Sequence, residues 1–127
     1  MSTFEKTFNV LQDTGLNWSV EKKPLVSEDG IPTESYGIFR NDNNAWLGTA
    51  GERYTPYQNS QLVERMVELT DVAGIPITKG GSLQGGKKIY LQAELDQERI
   101  GASNIKRFIT AMNSHDGSTS IAFGVAN

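Results

Sequence analysis

The sequence predicts an α+β domain: a mostly antiparallel β-sheet of hairpins, with one main amphipathic helix packed on one face and a short N-terminal helix. Three observations favour this class. Segments in which apolar and polar residues alternate outnumber segments with helical periodicity. Short turns rich in glycine or asparagine separate successive alternating segments, as in hairpins. A length of 127 residues with 37% apolar side chains suits a single domain with a single core.

The N-terminal half is predicted to hold a short helix, a strand and a hairpin. Apolar residues recur at helical spacing over residues 2–13, and Gly15 stands where it can end that helix. Alternation over residues 16–24 predicts the first strand. Residues 35–41 and 45–54 flank an Asp-Asn-Asn turn, which predicts a hairpin.

The main helix is predicted over residues 59–73. Leu62, Met66 and Leu69 form one apolar stripe, and Gly74 follows the last turn as a stop. Alternation and the turns between alternating segments predict the remaining strands. These strands cover residues 75–83, 87–95, 105–113 and 119–125.

Composition excludes several classes of site. The chain contains no cysteine and one histidine, so within one chain it can hold no disulfide, thiol nucleophile, cysteine-based zinc site or multi-histidine metal site. No metal and no small-molecule cofactor is expected. No apolar run is long enough for a signal peptide or a membrane span. These features predict a soluble, cytoplasmic protein.

The charge of the chain is unevenly distributed. The formal net charge is -3 and the isoelectric point is about 5.1. Residues 79–127 nevertheless carry six basic and four acidic side chains, whereas the preceding residues are acidic. A solvated surface is the ordinary explanation of so mild a bias, which is far below that of a dedicated nucleic-acid-binding domain. Phosphate contact remains open.

A glycine-rich segment, residues 80–86, lies between two predicted strands. The phosphate loop of a nucleotide-binding fold is followed by a helix, so a bulged hairpin containing Gly81, Gly85 and Gly86 is the better interpretation. The functional alternative is a flexible, positively charged finger that touches a nucleic-acid backbone through neighbouring lysines. Those lysines are Lys79, Lys87 and Lys88.

The Asn-Ser-His-Asp-Gly segment that ends at Gly117 places a hydroxyl, an imidazole and a carboxylate close together. Adjacent turn residues rarely form a catalytic relay, so the segment is interpreted as a turn in which Asn113 bonds to the local backbone. Asp116 and Gly117 are a strong turn pair. His115 is the one side chain expected to titrate near neutral pH, and a catalytic or metal role for it would need groups from another subunit.

Arg53, Tyr54 and Tyr57 lie in the segment that precedes the main helix. Two aromatic rings beside a guanidinium group can stack on the bases of a single strand. Packing at the core or its rim is the more ordinary role of tyrosines at the start of a helix. Both interpretations stay open.

Four short motifs occur in one order over nearly the whole chain: Leu47-Gly48, residues 54–59, the glycine-rich segment with its two lysines, and residues 113–118. In this order they resemble the phage- and plasmid-associated DUF932 family, a domain of unknown function. The resemblance implies a protein of a phage, prophage or plasmid in the cytoplasm of a bacterial host, and it assigns no catalytic residue. Members of the family continue past the position of Asn127, so this single domain is expected to be a minimal or trimmed member.

The sequence therefore predicts a non-enzymatic protein of a mobile element, an oligomer that binds single-stranded DNA and assists annealing or recombination. The residues expected to contact phosphate or bases are Arg53, Lys79, Lys87, Lys88, Lys106 and Arg107, with Tyr54 and Tyr57 for stacking. The alternative is a protein-interaction or structural module that binds no nucleic acid and self-associates along its last strand. An enzyme ranks third, because no clustered carboxylates or base–nucleophile pair stand out.

Overall fold

The computed structural model of the chain describes residues 2–95, 98–100, 103–105, 107–117 and 121–126. Its elements are α1 (Thr3–Thr14), β1 (Val20–Val26), β2 (Pro32–Arg40), β3 (Trp46–Ala50), α2 (Asn59–Ala73), β4 (Ile77–Leu83), β5 (Lys88–Glu94), β6 (Glu98–Ile100), β7 (Ser103–Ile105), β8 (Phe108–Ser114) and β9 (Ala122–Ala126). A short 3₁₀ turn, Gln84–Gly86, joins β4 to β5. The predicted α+β class is confirmed.

Both helices begin and end where local chemistry favours it. The hydroxyl of Ser2 accepts a hydrogen bond from the backbone N–H of Glu5 (3.1 Å) and caps α1. Gly15 and Gly74 follow the two helices with φ of 70°, a left-handed conformation that glycine adopts without strain. The helix α2 has the predicted bounds, and α1 is shifted from its predicted bounds by one residue.

The first sheet is antiparallel, with the strand order β1-β2-β3. The prediction that β1 begins near Leu16 is wrong. Leu16 and Trp18 are buried, and their backbone carbonyls accept hydrogen bonds from the side-chain amide of Asn59 (both 3.3 Å) instead of pairing with a strand. The alternation over residues 16–20 therefore results from burial beneath α2, and the strand starts only at Val20.

The second sheet is also antiparallel, with the order β4-β5-β8-β9. The predicted strand over residues 105–113 is divided. Phe108–Ser114 joins this sheet, whereas Ser103–Ile105 pairs with Glu98–Ile100 in a small two-stranded extension. The sequence predicted one sheet of hairpins, and the chain instead forms separate sheets. For the last predicted strand, residues 118–120 lie outside the described residues, and β9 begins at Ala122.

One apolar core joins α2 to both sheets. Leu62 and Met66 are fully buried as the predicted stripe requires, but Leu69 is 44% exposed. Val63 and Val67, which follow Leu62 and Met66 in the sequence, complete the apolar part of the buried face of α2. The buried members of the core are Leu16, Trp18, Val20, Ile38, Leu47, Leu62, Val63, Met66, Val67, Ile89, Leu91, Ala93 and Ala111. In the part of the chain that the structure describes, no helix is long and apolar enough to cross a membrane.

Candidate nucleic-acid interface

The second sheet turns one face toward the helices and the other face away from them. The residues of β5 that are fully buried on the helix side are Ile89, Leu91 and Ala93. Successive side chains of a strand point to opposite faces, so Lys88, Tyr90 and Gln92 lie on the face directed away from the helices. All three are half-buried. We refer to this surface as the outer face.

The neighbouring strand β4 adds a second lysine to the outer face. Lys79 pairs with Gln92, and Gly81 pairs with Tyr90. A Cβ atom placed on Gly81 would lie 3.4 Å from the hydroxyl oxygen of Tyr90, so the tyrosine ring lies beside a residue without a side chain. The exposed Lys79 and the half-buried Tyr90 therefore belong to one surface.

Tyr90 thus has a lysine on either side, Lys88 on its own strand and Lys79 on the adjacent one. An aromatic ring and lysines on one sheet face are the elements of a surface that binds a single nucleic-acid strand without reading its sequence. Alternation places Glu94 at the far end of β5 on the same face, so the positive charge is concentrated toward the glycine-rich end of the strand.

The glycine-rich turn is fastened to the first sheet. The guanidinium group of Arg40 donates a hydrogen bond to the carbonyl oxygen of Gly85 (2.8 Å) and lies 4.1 Å from the centre of the Trp18 ring. Gly86 has φ of 109°, and a Cβ atom there would lie 2.9 Å from the same ring. The predicted hairpin is confirmed, but its irregular register lies between Ile77 and Lys79, before the glycine-rich segment. The contacts of Arg40 and Trp18 favour a held turn over the flexible finger that the sequence left open.

A second aromatic and cationic pair lies beside this turn. The ammonium group of Lys87 is 5.9 Å from the centre of the Trp46 ring, and Trp46 is 55% exposed. Because Trp46 begins β3 and Lys87 precedes β5, the pair lies where the two sheets meet. An exposed indole is costly to leave in water and is a frequent platform for stacking.

The imidazole of His115 is buried, with 1% of its residue surface exposed. Its Nε2 atom lies 2.7 Å from Oδ1 of Asn59, and its ring packs edge-on against Trp18 at 5.6 Å between centres. Burial lowers the pKa of His115 to about 4, against a smaller opposing effect of the Asp116 charge. The expectation that His115 titrates near neutral pH is therefore wrong.

The rest of this segment is held by distant parts of the chain. The side-chain amide of Asn113 donates to the carbonyl oxygen of Tyr57 (3.1 Å), so the predicted local bonding of Asn113 is wrong. Gly48 approaches the bend so closely that a Cβ atom there would lie 2.5 Å from Cα of Asp116. Gly117 has φ of 78°, which supports the predicted Asp-Gly turn.

The family model described as "Domain of unknown function (DUF932)" matches residues 46–126, which is more than half of the chain. The chain belongs to the DUF932 family. No curated protein and no solved structure matches it.

The DUF932 match begins at Trp46 and extends over β3, α2 and both strands that carry the outer face. It also includes the His115 bend. The helix α1 and the strands β1 and β2 precede it, so Trp18 and Arg40, which fasten the glycine-rich turn, come from outside the matched residues.

The DUF932 fold does not bring all the predicted binding residues to one surface. Arg53 is exposed in the loop after β3, while Tyr54 and Tyr57 pack against the core. The core-packing interpretation of the two tyrosines is thus the better one. Arg107 is half-buried just before β8 and already has a polar or electrostatic interaction within the chain, so it is not a free cation. Lys106 lies outside the described residues.

The sequence did not single out Tyr90 and Trp46, the two aromatic residues near lysines of the second sheet. In the first sheet, Lys22 and Lys23 also lie over aromatic rings, those of Tyr36 and Phe39. Tyr90 could have been found, because it alternates with buried residues of β5 and must lie opposite them. The proximity of Trp46 to Lys87 depends on how the two sheets meet, which no local pattern reports. Among the residues that the structure describes, no group of three or more histidine, aspartate or glutamate side chains could hold a metal ion.

Proposed function

We propose that this DUF932 domain is a non-enzymatic protein of a phage or plasmid that binds single-stranded nucleic acid on its outer face and self-associates. The observation that carries the proposal is the position of Tyr90 between Lys79 and Lys88, on the sheet face directed away from the helices. The mobile-element origin implied by the family resemblance suits a role in annealing or recombination.

The charges of the molecule restrict how such binding works. With a net charge of -3, the whole chain repels a polyanion, so attraction must come from a local surface. Lys79 and Lys88 supply that surface and Tyr90 supplies stacking, which is worth about 1–3 kcal/mol per base. Few phosphates are contacted, so we expect modest affinity for each domain and an increase in affinity when several copies bind one strand.

Binding is tested by fluorescence anisotropy with a labelled oligothymidine of about 20 nucleotides, a length that spans a typical single-strand site. We expect Tyr90→Ala to weaken binding about 5- to 100-fold. The double variant Lys79→Glu/Lys88→Glu should weaken binding further and reduce the slope of log Kd against log salt by about 1 to 2.

The matched control is Lys23→Glu. Lys23 lies on β1 in the other sheet, with its side chain 49% exposed, and the substitution makes the same change in net charge as either lysine of the outer face. An equal loss for each lysine replaced in Lys23→Glu and in the double variant, with unchanged binding in Tyr90→Ala, would mean that only net charge matters. That outcome would reject the outer face as the binding site.

A specific observation favours the second candidate, a protein-interaction module. The strand β9 lies at the edge of its sheet, and the groove between β9 and α2 is lined by Leu69, Val72 and Phe123. Val72 is 92% exposed and Val125 is 67% exposed. An open strand edge beside an apolar groove is a site for strand addition.

A second copy of this chain is the partner that this edge suits. Arg65 and Glu68 also line the groove, so its rim carries both charges. When two copies meet about a two-fold axis, the arginine of one copy can face the glutamate of the other. Antiparallel pairing along β9 would then cover Phe123 and Val125 in both copies.

Light scattering across a concentration series measures this association. We expect Phe123→Glu to shift the chain toward the monomer mass, while Phe4→Glu, the same substitution at an 80% exposed phenylalanine of α1, leaves the mass unchanged. A monomeric wild-type protein at all concentrations would reject self-association. It would leave the test of the outer face unaffected, because that test concerns binding by a single domain.

A further inference from the structure

The two tryptophans of the chain each lie near a cation, but in opposite surroundings. Trp18 is 7% exposed, and the guanidinium group of Arg40 lies 4.1 Å from the centre of its ring. Trp46 is 55% exposed, and the ammonium group of Lys87 lies 5.9 Å from its ring centre, near the outer limit of a cation–π contact. The pair at Trp18 therefore belongs to the interior, whereas the pair at Trp46 leaves much of an indole ring open to a ligand.

The lysines differ in whether their charge is already used within the chain. Lys6 and Lys23 form ion pairs with carboxylates, and Lys22 donates to two backbone carbonyl oxygens. Among the residues that the structure describes, the remaining lysines form no ion pair. These lysines are Lys79, Lys87 and Lys88. Lys87 and Lys88 directly follow the glycine-rich turn, and Lys79 lies on the strand that leads into it, so the available lysine charge is concentrated around this hairpin.

Lys87 and Lys88 connect the outer face to Trp46. They are consecutive residues, so their Cα atoms lie about 3.8 Å apart. Lys88 lies on the outer face with Tyr90, whereas the ammonium group of Lys87 lies beside Trp46 at the start of β3. Successive phosphates of one strand can therefore meet Lys88 and then Lys87, which leads the strand from the ring of Tyr90 toward the ring of Trp46.

The glycine-rich turn beside this path presents few obstacles. Gly85 and Gly86 carry no side chains, and the hydrogen bond from Arg40 to Gly85 holds the turn toward the first sheet. Arg40 binds both carboxylate oxygens of Asp42, so each of these two residues neutralises the charge of the other. The lysines therefore determine the sign of the charge that a strand meets here.

We infer that Trp46 and Lys87 form a second subsite for the single strand that the outer face binds. In this subsite an unstacked base lies on the indole ring, and a neighbouring phosphate meets the ammonium group of Lys87. The inference rests on the proposed function, because it extends the same bound strand. It adds a stacking residue of the first sheet that binding by Tyr90, Lys79 and Lys88 does not require. A single strand suits the subsite because its bases are free to leave their neighbours and stack on the ring.

Tryptophan fluorescence tests the subsite directly. Because Trp46 is the exposed one of the two tryptophans, a base stacked on its ring should quench its emission. Unlabelled oligothymidine of about 20 nucleotides is titrated into the protein, and the midpoint is compared with the anisotropy measurement. We expect saturable quenching with the same midpoint. The quenching should be absent in Trp46→Phe, whose remaining tryptophan is buried.

The affinity for the oligonucleotide tests the same subsite. We expect Trp46→Ala to raise Kd at least about fivefold, since it removes one stacked base. Trp46→Phe keeps an aromatic ring and should retain most of the affinity. The matched control is Phe8→Ala, which removes an aromatic ring of nearly equal exposure, 54%, from α1 and should leave Kd unchanged.

The salt dependence of binding tests the phosphate contact. We expect Lys87→Gln to reduce the slope of log Kd against log salt by about 1. Lys6→Gln makes the same change in net charge at a lysine that is already paired with Asp71, and it should leave the slope unchanged. An equal change of slope in both variants would overturn the contact between Lys87 and the strand.

Failure of this inference is distinct from failure of the proposed function. If Tyr90→Ala weakens binding while Trp46→Ala does not, and the wild-type emission is not quenched, the subsite is overturned and the outer face stands. If the wild-type protein binds no oligonucleotide, the proposed function is rejected and the inference with it. Quenching that persists in Trp46→Phe would come from Trp18 and would also overturn the subsite.

Discussion

At the scale of single residues, the interior of this domain depends on polar side chains with fixed partners. Asn59 and His115 are both about 1% exposed, and each satisfies the other through one hydrogen bond. Asn59 also satisfies two carbonyls of a segment that would otherwise be buried without partners. The pair therefore substitutes for strand pairing at the place where the chain enters the core.

The buried neutral imidazole predicts a dependence of stability on pH. The pKa of His115 is about 4 in the folded chain and near 6.5 in the unfolded chain, so between these values the unfolded state binds more protons and stability falls as the pH falls. We expect the free energy of unfolding, measured in urea, to decrease by about 2 kcal/mol between pH 7 and pH 5.

The control for this effect is His115→Gln, which can still donate to Asn59 but does not titrate. Its unfolding free energy should change little over the same pH interval, because carboxylates titrate mainly below it. An equal pH dependence in His115→Gln and the wild type would assign the effect to other groups.

Close packing of backbone against backbone predicts a sharp difference between two neighbouring glycines. A Cβ atom on Gly48 would lie 2.5 Å from Cα of Asp116, whereas one on Gly51 meets nothing within 4 Å. We expect Gly48→Ala to cost about 1–3 kcal/mol, because β3 and the bend must move apart. Gly51→Ala should be neutral or slightly stabilising. Thermal unfolding of the two variants compares them directly, and equal melting temperatures would contradict the close approach.

At the scale of elements, α2 was predicted with its observed bounds, because its start, its apolar face and the glycine after it are all local signals. The packing of its first turn was not predictable in this way. The side chain of Gln58 accepts from the N–H of Val20 and donates to its carbonyl (both 2.9 Å). The amide thereby bonds to the free edge of β1 as a neighbouring strand would. It joins two residues that are 38 positions apart in sequence.

This pair of hydrogen bonds predicts that Gln58→Glu is destabilising. A carboxylate of nearly the same shape can accept from the N–H of Val20 but cannot donate to its carbonyl, which is left facing a negative oxygen. We expect a loss of about 1–3 kcal/mol at pH 7, measured by urea unfolding.

Gln61→Glu provides the matched control. The side chain of Gln61 only accepts, from the backbone N–H of Gln58 (2.8 Å), and a carboxylate at the start of a helix does so equally well. Gln61→Glu should therefore leave stability within about 0.5 kcal/mol of the wild type. A larger loss in Gln61→Glu than in Gln58→Glu would reject this account of the helix start.

Strands were predicted less well than helices for a physical reason. Alternation identifies which residues are buried, but burial beneath a helix and burial within a sheet give the same pattern, as Leu16 and Trp18 show. It also cannot divide a long alternating region between two sheets, as at residues 105–113. The β5 part of the outer face was within reach of the sequence, because it follows from alternation in β5, whereas the place of Lys79 depends on how β4 pairs with β5. The surroundings of His115 were not, since Trp18 and Asn59, which contact its ring, come from distant parts of the chain.

At the scale of the whole molecule, Arg40 joins the two sheets. Its guanidinium group binds both carboxylate oxygens of Asp42 (2.6 and 2.9 Å), which lowers the pKa of that carboxyl group, and it reaches across to Gly85 and Trp18. The side chain is 15% exposed. One residue at the end of β2 thus links the turn of the first sheet to the turn of the second.

We expect Arg40→Lys to weaken this link, because an ammonium group cannot form the same paired bonds or lie flat on the indole ring. The loss should be about 1–2 kcal/mol in urea unfolding, with faster amide hydrogen exchange at Gly85 and Gly86. Arg65→Lys is the control, since Arg65 is 69% exposed and its one ion pair measures 3.9 Å. Unchanged exchange at the turn in Arg40→Lys would show that Trp18 alone holds it.

The side chain of Asn59 also has a consequence for how the chain folds. It meets Leu16, Trp18 and His115, which are 43, 41 and 56 residues away in sequence. Two separate loops must close before the amide gains all its bonds, one to the segment that holds Leu16 and Trp18 and one to His115, so we expect these bonds to form late in folding.

Replacement of Asn59 by alanine should accordingly act on the rate of unfolding. We expect Asn59→Ala to accelerate unfolding in stopped-flow experiments while the refolding rate changes by less than about twofold, the behaviour of a contact absent from the transition state. A slowed refolding limb would instead mean that the two halves of the chain meet early. In that case the hydrogen bonds of Asn59 would form before the transition state. We expect them to form after it, once the chain has already become compact.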